Sequence, residues 1–156
     1  MRWPIAVLRY ARDIGQTVEA VVLVLFARFL VTFLPFRVWR PLMGRIASYP
    51  VLSPVGDAVM RRARRFGDKV THVADRLPLR LVCLPRAMAA QLMMGRRGIP
   101  SALVIGAAPR AMPGKFPSLH AWLEVGGLPV IGGAEAQQHR ASFCVVRIPR
   151  RYVLSE

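Results

Sequence analysis

Residues 18–34 (VEAVVLVLFARFLVTFL) are the most apolar stretch of the chain and constrain its fold most strongly. A bilayer-spanning helix needs about 20 apolar residues with few charges. Here Glu19 and Arg28 interrupt the pattern, Pro35 closes it, and the unbroken apolar run over residues 20–27 is too short to cross. The reading is therefore a long helix over residues 9–34, buried in a core or facing a partner, with membrane-surface attachment the less favoured reading. Asp13 and Glu19 early, with Arg28 late, suit the helix dipole. Such a helix needs apolar cover, and 156 residues that are 54% hydrophobic suffice for one domain with one core. No cleavable signal peptide is read at the start, and the expectation is a soluble, cytoplasmic protein.

The rest of the first half is also helical. A short helix is expected over residues 36–46, restarted around Pro41, then a proline-rich connector over 48–54 and a third helix over 55–77 carrying Arg61, Arg62, Arg64 and Arg65. The second half changes texture. Residues 83–94 are rich in Ala, Met and Leu and read as a helix, with Pro85 tolerated in its first turn. Apolar runs over 102–107, 120–125, 128–131 and 143–148 read as strands. Gly126-Gly127 makes a hairpin turn, and the three prolines within 108–119 mark a loop. The pattern is α+β: an N-terminal helical region (1–80) and a core (81–156) of one helix on an antiparallel sheet, within one domain.

Charge narrows the partners. The chain carries 23 Lys and Arg against 8 Asp and Glu, a net +15, and its only lysines are Lys69 and Lys115. Nucleic acid, an anionic membrane or an acidic polypeptide would each match this surplus. No helix-turn-helix, zinc finger or aromatic stacking platform is recognisable, so nucleic acid is not favoured. Two cysteines are too few for a disulfide scaffold, and no Cys/His spacing suits a metal. With no glycine-rich phosphate loop either, no metal and no cofactor is expected.

The chemistry rests on Cys83 and His120. A thiol at a helix start meets the positive end of the macrodipole, which favours the nucleophilic thiolate. The first-turn amides of Cys83 and Leu84 can hold an oxyanion. A histidine beside the thiol takes its proton and returns it to a leaving amine. Strand alternation puts His120, Trp122 and Glu124 on one face, making Trp122 a site wall and Glu124 a solvated sheet residue. Taken alone, a cysteine and a histidine are a weak signal, and a buried inert thiol is the commoner fate. That is the reading for Cys144. His72 and His139 are expected to face solvent, and Gln91, two turns after Cys83, is too distant for an oxyanion role.

Linked motifs sharpen this. Cys83-Leu84-Pro85-Arg86-Ala87, Arg96-Arg97-Gly98-Ile99-Pro100, Leu103-Val104-Ile105-Gly106, His120-Ala121-Trp122-Leu123-Glu124 and Gly132-Gly133 occur in that order. Together, over residues 81–133, they resemble the leader-cleaving proteases of lasso-peptide maturation, in the transglutaminase-like superfamily. Residues 27–30 and 34–37 resemble the family's N-terminal region more loosely. The resemblance implies a papain-like Cys-His-Asp arrangement, with Cys83 as nucleophile and His120 as general acid/base. It implies as partners a lasso precursor, a separate leader-recognition protein and a lasso cyclase, the chain being the protease-only form. Phe26, Phe29, Phe33 and Trp39 offer docking faces for those partners, packing as core being the more ordinary expectation. The family's acid is expected near Gly132 or Gly133, neither of which has a side chain to supply it. A substitute side chain (Glu124, Gln138 or, ranked first, Glu135), a backbone carbonyl, or a simple dyad remain open.

Overall fold

The structure is a computed structural model, and it describes residues 5–48, 52–79, 82–108, 119–136 and 139–149. Helix α1 (Ile5–Phe33) is the apolar segment, longer at its start than expected. Gln16, Ala20, Leu23, Val24, Ala27 and Leu30 recur every three or four residues and form its buried face. By length and composition alone α1 could cross a membrane: its most apolar 18-residue window has a mean hydropathy of 1.9, and 33% of that window is buried. The inner face is tied to the protein by Asp13–Lys69 at 2.7 Å and by Glu19, which meets Arg97.

Pro35 ends α1 and serves as N-cap of α2 (Phe36–Met43). The aromatic residues of this region divide between core and surface. Trp39 is buried against Phe36 in an edge-on contact, whereas Phe26, Phe29 and Phe33 are exposed. The second helix is shorter than expected. At Gly44, φ is +137°, and residues 45–47 form a strand, β1 (Arg45–Ala47). A Cβ on Gly44 would lie 2.2 Å from the Val146 carbonyl oxygen, so only glycine lets the chain cross there. Three residues are too few to show a two-residue period, which is why β1 was not legible in the sequence.

Helix α3 (Asp57–Arg76) buries Ala63, Phe66, Gly67, Val70, Val73 and Ala74 and turns its arginine cluster outward. Helix α4 (Cys83–Gly95) is the centre of the molecule, with Ala87, Met88, Ala89, Ala90, Met93 and Met94 all fully buried. It packs against α1, α3 and the sheet, so its sequence is apolar on most sides, with Arg86 and Gln91 the polar exceptions.

The sheet contains β1, β2 (Ser101–Ala107), β3 (Leu119–Val125), β4 (Leu128–Ile131) and β5 (Arg140–Arg147), with a short α5 (Gly133–Ala136) after β4. Its order is β1-β5-β2-β3-β4, and every pairing is antiparallel. The expected α+β architecture is what the chain adopts. Gly126 and Gly127 both have positive φ, 58° and 78°, as a two-residue hairpin of the primed type requires. Alternation sorts the faces. Leu103, Ala121, Leu123, Val125 and Val145 join the helices in one core. Ala102, Val104, Trp122, Cys144 and Val146 form a smaller cluster on the other face, with Ala47 and Leu52 against it. The proline-rich segment 109–118 lies outside the described residues.

Candidate active site

Cys83 is the first residue of α4. Val82 before it is extended (φ −72°, ψ 168°) and supplies no side-chain cap. The amides of Cys83 and Leu84, in the first turn, have no carbonyl one turn back to bond, and Pro85 contributes no donor. This end of α4 abuts β3: the Ala121 amide donates to the Cys83 sulfur at 3.4 Å. β4 pairs with β3 over Leu123–Val125, with a register irregularity at Leu123/Glu124. Two residues further back, at Ala121, the strand's amide meets the thiol. Hence the helix start and the residue next to His120 are joined directly.

His120 sits opposite Gly106 on β2 and is 5% exposed. Its Nε2 lies 3.1 Å from the carbonyl oxygen of Gly132. A carbonyl can only accept, so in this contact the donor is Nε2–H. Among the described residues, the Gly132 carbonyl makes one such orienting contact, the backbone arrangement that the sequence left open beside a substitute side chain and a simple dyad. Gly132 has φ +72°, and a Cβ there would lie 3.0 Å from Nε2 and 3.1 Å from the Trp122 Cβ. The glycine thus allows the carbonyl to come this close. Glu135 falls in α5, and its side chain lies outside the described residues, as does Gln138.

Trp122 backs the imidazole. Its ring is stacked on His120 at 6.0 Å between centroids with 17° between planes. It is buried in the smaller cluster, while the cleft itself is lined by other residues. A Cβ on Gly106 would meet the Trp122 ring at 2.8 Å, so glycine on β2 makes room for the indole. Glu124 is 6% exposed and accepts from the Trp122 Nε1–H at 2.7 Å. This corrects the expectation of a solvated Glu124: the indole donor offsets the burial of its carboxylate.

A cleft of about 450 Å³ opens over this junction, lined by Cys83, His120 and Ala121, by Ile131 and Gly132–Ala134, and by Thr71 and Arg86. Arg86 donates to Asp75 at 2.7 Å. Arg86 was not singled out as a site residue, although i+3 spacing puts it one turn from Cys83. Thr71 carried no signal of its own. It reaches the cleft because Gly67 lets α3 lie against β4: a Cβ on Gly67 would sit 2.5 Å from the Val130 carbonyl oxygen. His139, expected to face solvent, is half-buried with its ring 5.2 Å from that of His120.

The other candidates have structural roles. Cys144 is fully buried and donates to the Ala47 carbonyl at 3.2 Å. Burial pushes its thiol pKa up, and the Glu124 carboxylate adds to the rise. Gln91 is buried in the core, where its Nε2 donates to the Val145 carbonyl at 2.8 Å. His72 meets Arg76 on α3 through Nδ1 at 2.7 Å. Among the described residues no group of three or more His, Cys, Asp or Glu could hold a metal ion.

A cysteine heading a buried helix, with a histidine on the adjoining antiparallel strand, is an arrangement suited to nucleophilic attack on a carbonyl. The family model described as the transglutaminase-like superfamily matches residues 30–147, from the last turn of α1 to the end of β5. Comparison with curated proteins and with solved structures gives no match. Since the family model covers most of the chain and all of the sheet, this protein belongs to the transglutaminase-like superfamily, which includes cysteine peptidases and transglutaminases.

Proposed function

We propose that this chain is a cysteine peptidase that cleaves the leader from a lasso-peptide precursor before a separate cyclase closes the ring. The observation that carries the thiol chemistry is the junction of α4 and β3. There the Cys83 sulfur accepts the Ala121 amide and the neighbouring His120 is held through Nε2 on the Gly132 carbonyl. The choice of substrate rests on the motifs of residues 81–133 and their resemblance to the lasso leader proteases.

In this reading the Cys83 thiolate attacks the last leader carbonyl, forming a carbon–sulfur bond and a tetrahedral oxyanion. The amides of Cys83 and Leu84 donate to that oxyanion. His120, having taken the thiol proton, gives it to the departing amine as the peptide bond breaks. Water, deprotonated by His120, then cleaves the thioester and restores the thiol. The Gly132 carbonyl fixes the ring orientation throughout, using a dipole where the family's arrangement uses a carboxylate. No cofactor enters. The reaction belongs to the cytoplasm, with the precursor presented by a separate leader-recognition protein.

A second reading keeps the thioester and changes the acceptor. Transglutaminase-like membership is equally compatible with transfer of the acyl group to an amine. A precursor incubated with the chain, its recognition partner and a labelled primary amine separates the two by mass. Water gives free leader acid, whereas transfer leaves the label on the leader.

A further inference from the structure

The outer face of α1 is unlike the rest of the surface among the described residues. Ile14, Val18, Val22, Leu25, Phe29 and Phe33 recur at intervals of three or four and are all exposed. They form one straight stripe, about 28 Å long at the helical rise. The two charged residues of α1 within that span are displaced from it. Glu19 is turned to Arg96 and Arg97, and Arg28 is half-buried beside the stripe.

Cationic groups flank it. Arg12, exposed, and Arg28, half-buried, lie to either side of it on α1, and α3, with Arg61, Arg62, Arg64 and Arg65 facing outward, packs against α1. Asp13 shows how close that row comes. Its carboxyl is held below the ordinary range first by the Lys69 hydrogen bond, with the Arg65 charge adding to the effect.

We propose that this face of α1 lies on an anionic lipid bilayer, its apolar stripe in the headgroup–acyl boundary and its flanking arginines on lipid phosphates. The two halves of the match occur together. A continuous apolar stripe has no counterpart on nucleic acid, and a net charge of +15 meets its complement in an anionic surface. The helix rests on the bilayer rather than crossing it, because its other side is committed to protein. That side carries the Asp13–Lys69 and Glu19–Arg97 pairs and is buried from Gln16 to Leu30.

The test is flotation of the full chain with phosphatidylcholine vesicles, with and without phosphatidylglycerol. Three variants are run beside it: Phe29→Ser with Phe33→Ser, Arg12→Gln with Arg28→Gln, and Cys83→Ala. Far-UV circular dichroism checks that each is folded. The proposal expects wild type and Cys83→Ala to float only with the anionic vesicles, less so at high salt. It expects the double serine variant to lose about tenfold or more in vesicle affinity, and the glutamine variant to lose part of it. Because Cys83→Ala binds like wild type, the outcome does not depend on the peptidase reading.

Four results would overturn the proposal. The first is no flotation at low salt, and the second is undiminished flotation of a folded serine variant. The third is resistance to alkaline carbonate extraction, as a spanning helix would give. The fourth is a dimer in sedimentation that the serine variant dissolves while vesicles bind neither protein.

Discussion

The two thiols differ in everything that governs reactivity. Cys83 heads a helix, borders a cleft and is half-buried, whereas Cys144 is enclosed and donates to Ala47. Brief alkylation of the native protein should therefore modify Cys83 first, with Cys144 labelled only on unfolding. Peptide mapping by mass spectrometry checks the order, and equal labelling of both would contradict the assignment. Cys144 also sets a pH limit. Its folded thiol holds the proton more tightly than the unfolded one, so its contribution is intact below the ordinary thiol pKa of 9.0. It then fades as pH rises through the higher folded value. The slope of chemical stability against alkaline pH should flatten in Cys144→Ala. Gly132→Ala addresses the imidazole support: the positive φ and the 3.0 Å approach to Nε2 predict a loss of about 1–3 kcal/mol in stability. A larger fall in kcat than Gly133→Ala gives would place the effect at the imidazole.

At the scale of elements, α1 is held by ionic contacts as well as by packing. The Glu19–Arg97 pair is about four-fifths shielded on both sides, and Arg97 also covers the Phe66 ring at 4.6 Å. Removing the charge in Glu19→Gln should cost about 1–3 kcal/mol, read as a lower denaturant midpoint with the slope unchanged. An effect below a few tenths would mean that packing alone docks α1. Much at this scale was legible in the sequence, because long periodic segments and turn residues declare themselves. The starts of α3 and α4, the glycine hairpin and β4 lie within two residues of expectation. What was hidden depends on contacts remote in sequence. β1 exists because Gly44 lets the chain cross Val146, and β5 begins at Arg140, three residues early, with a bulge at Ser142 opposite Ile105 and Gly106. The faces were legible too: His120, Trp122 and Glu124 do share one. The burial of Glu124 was not, because it follows from a donor two residues away on the indole.

At the scale of the molecule, the sheet and the buried α4 bring residues 83 and 120 to one cleft, and the family model spans all of that scaffold. The sequence named both residues as candidates but not the contact that the His120 Nε2 makes. A backbone carbonyl leaves no residue-type signature, and only the path through Gly132 reveals it. Thr71 reaches the cleft by helix crossing, and the ring of His139, just before β5, lies beside that of His120, neither of which the sequence marks. The measurement that tests the central claim most directly is intact-mass spectrometry of the candidate precursor. It is incubated with the recognition partner and with wild type, Cys83→Ala or His120→Ala. Wild type should release the leader through a thioester on Cys83, Cys83→Ala should release none, and His120→Ala should be slower by about 10³-fold or more. Leader release that persists in Cys83→Ala would contradict the account.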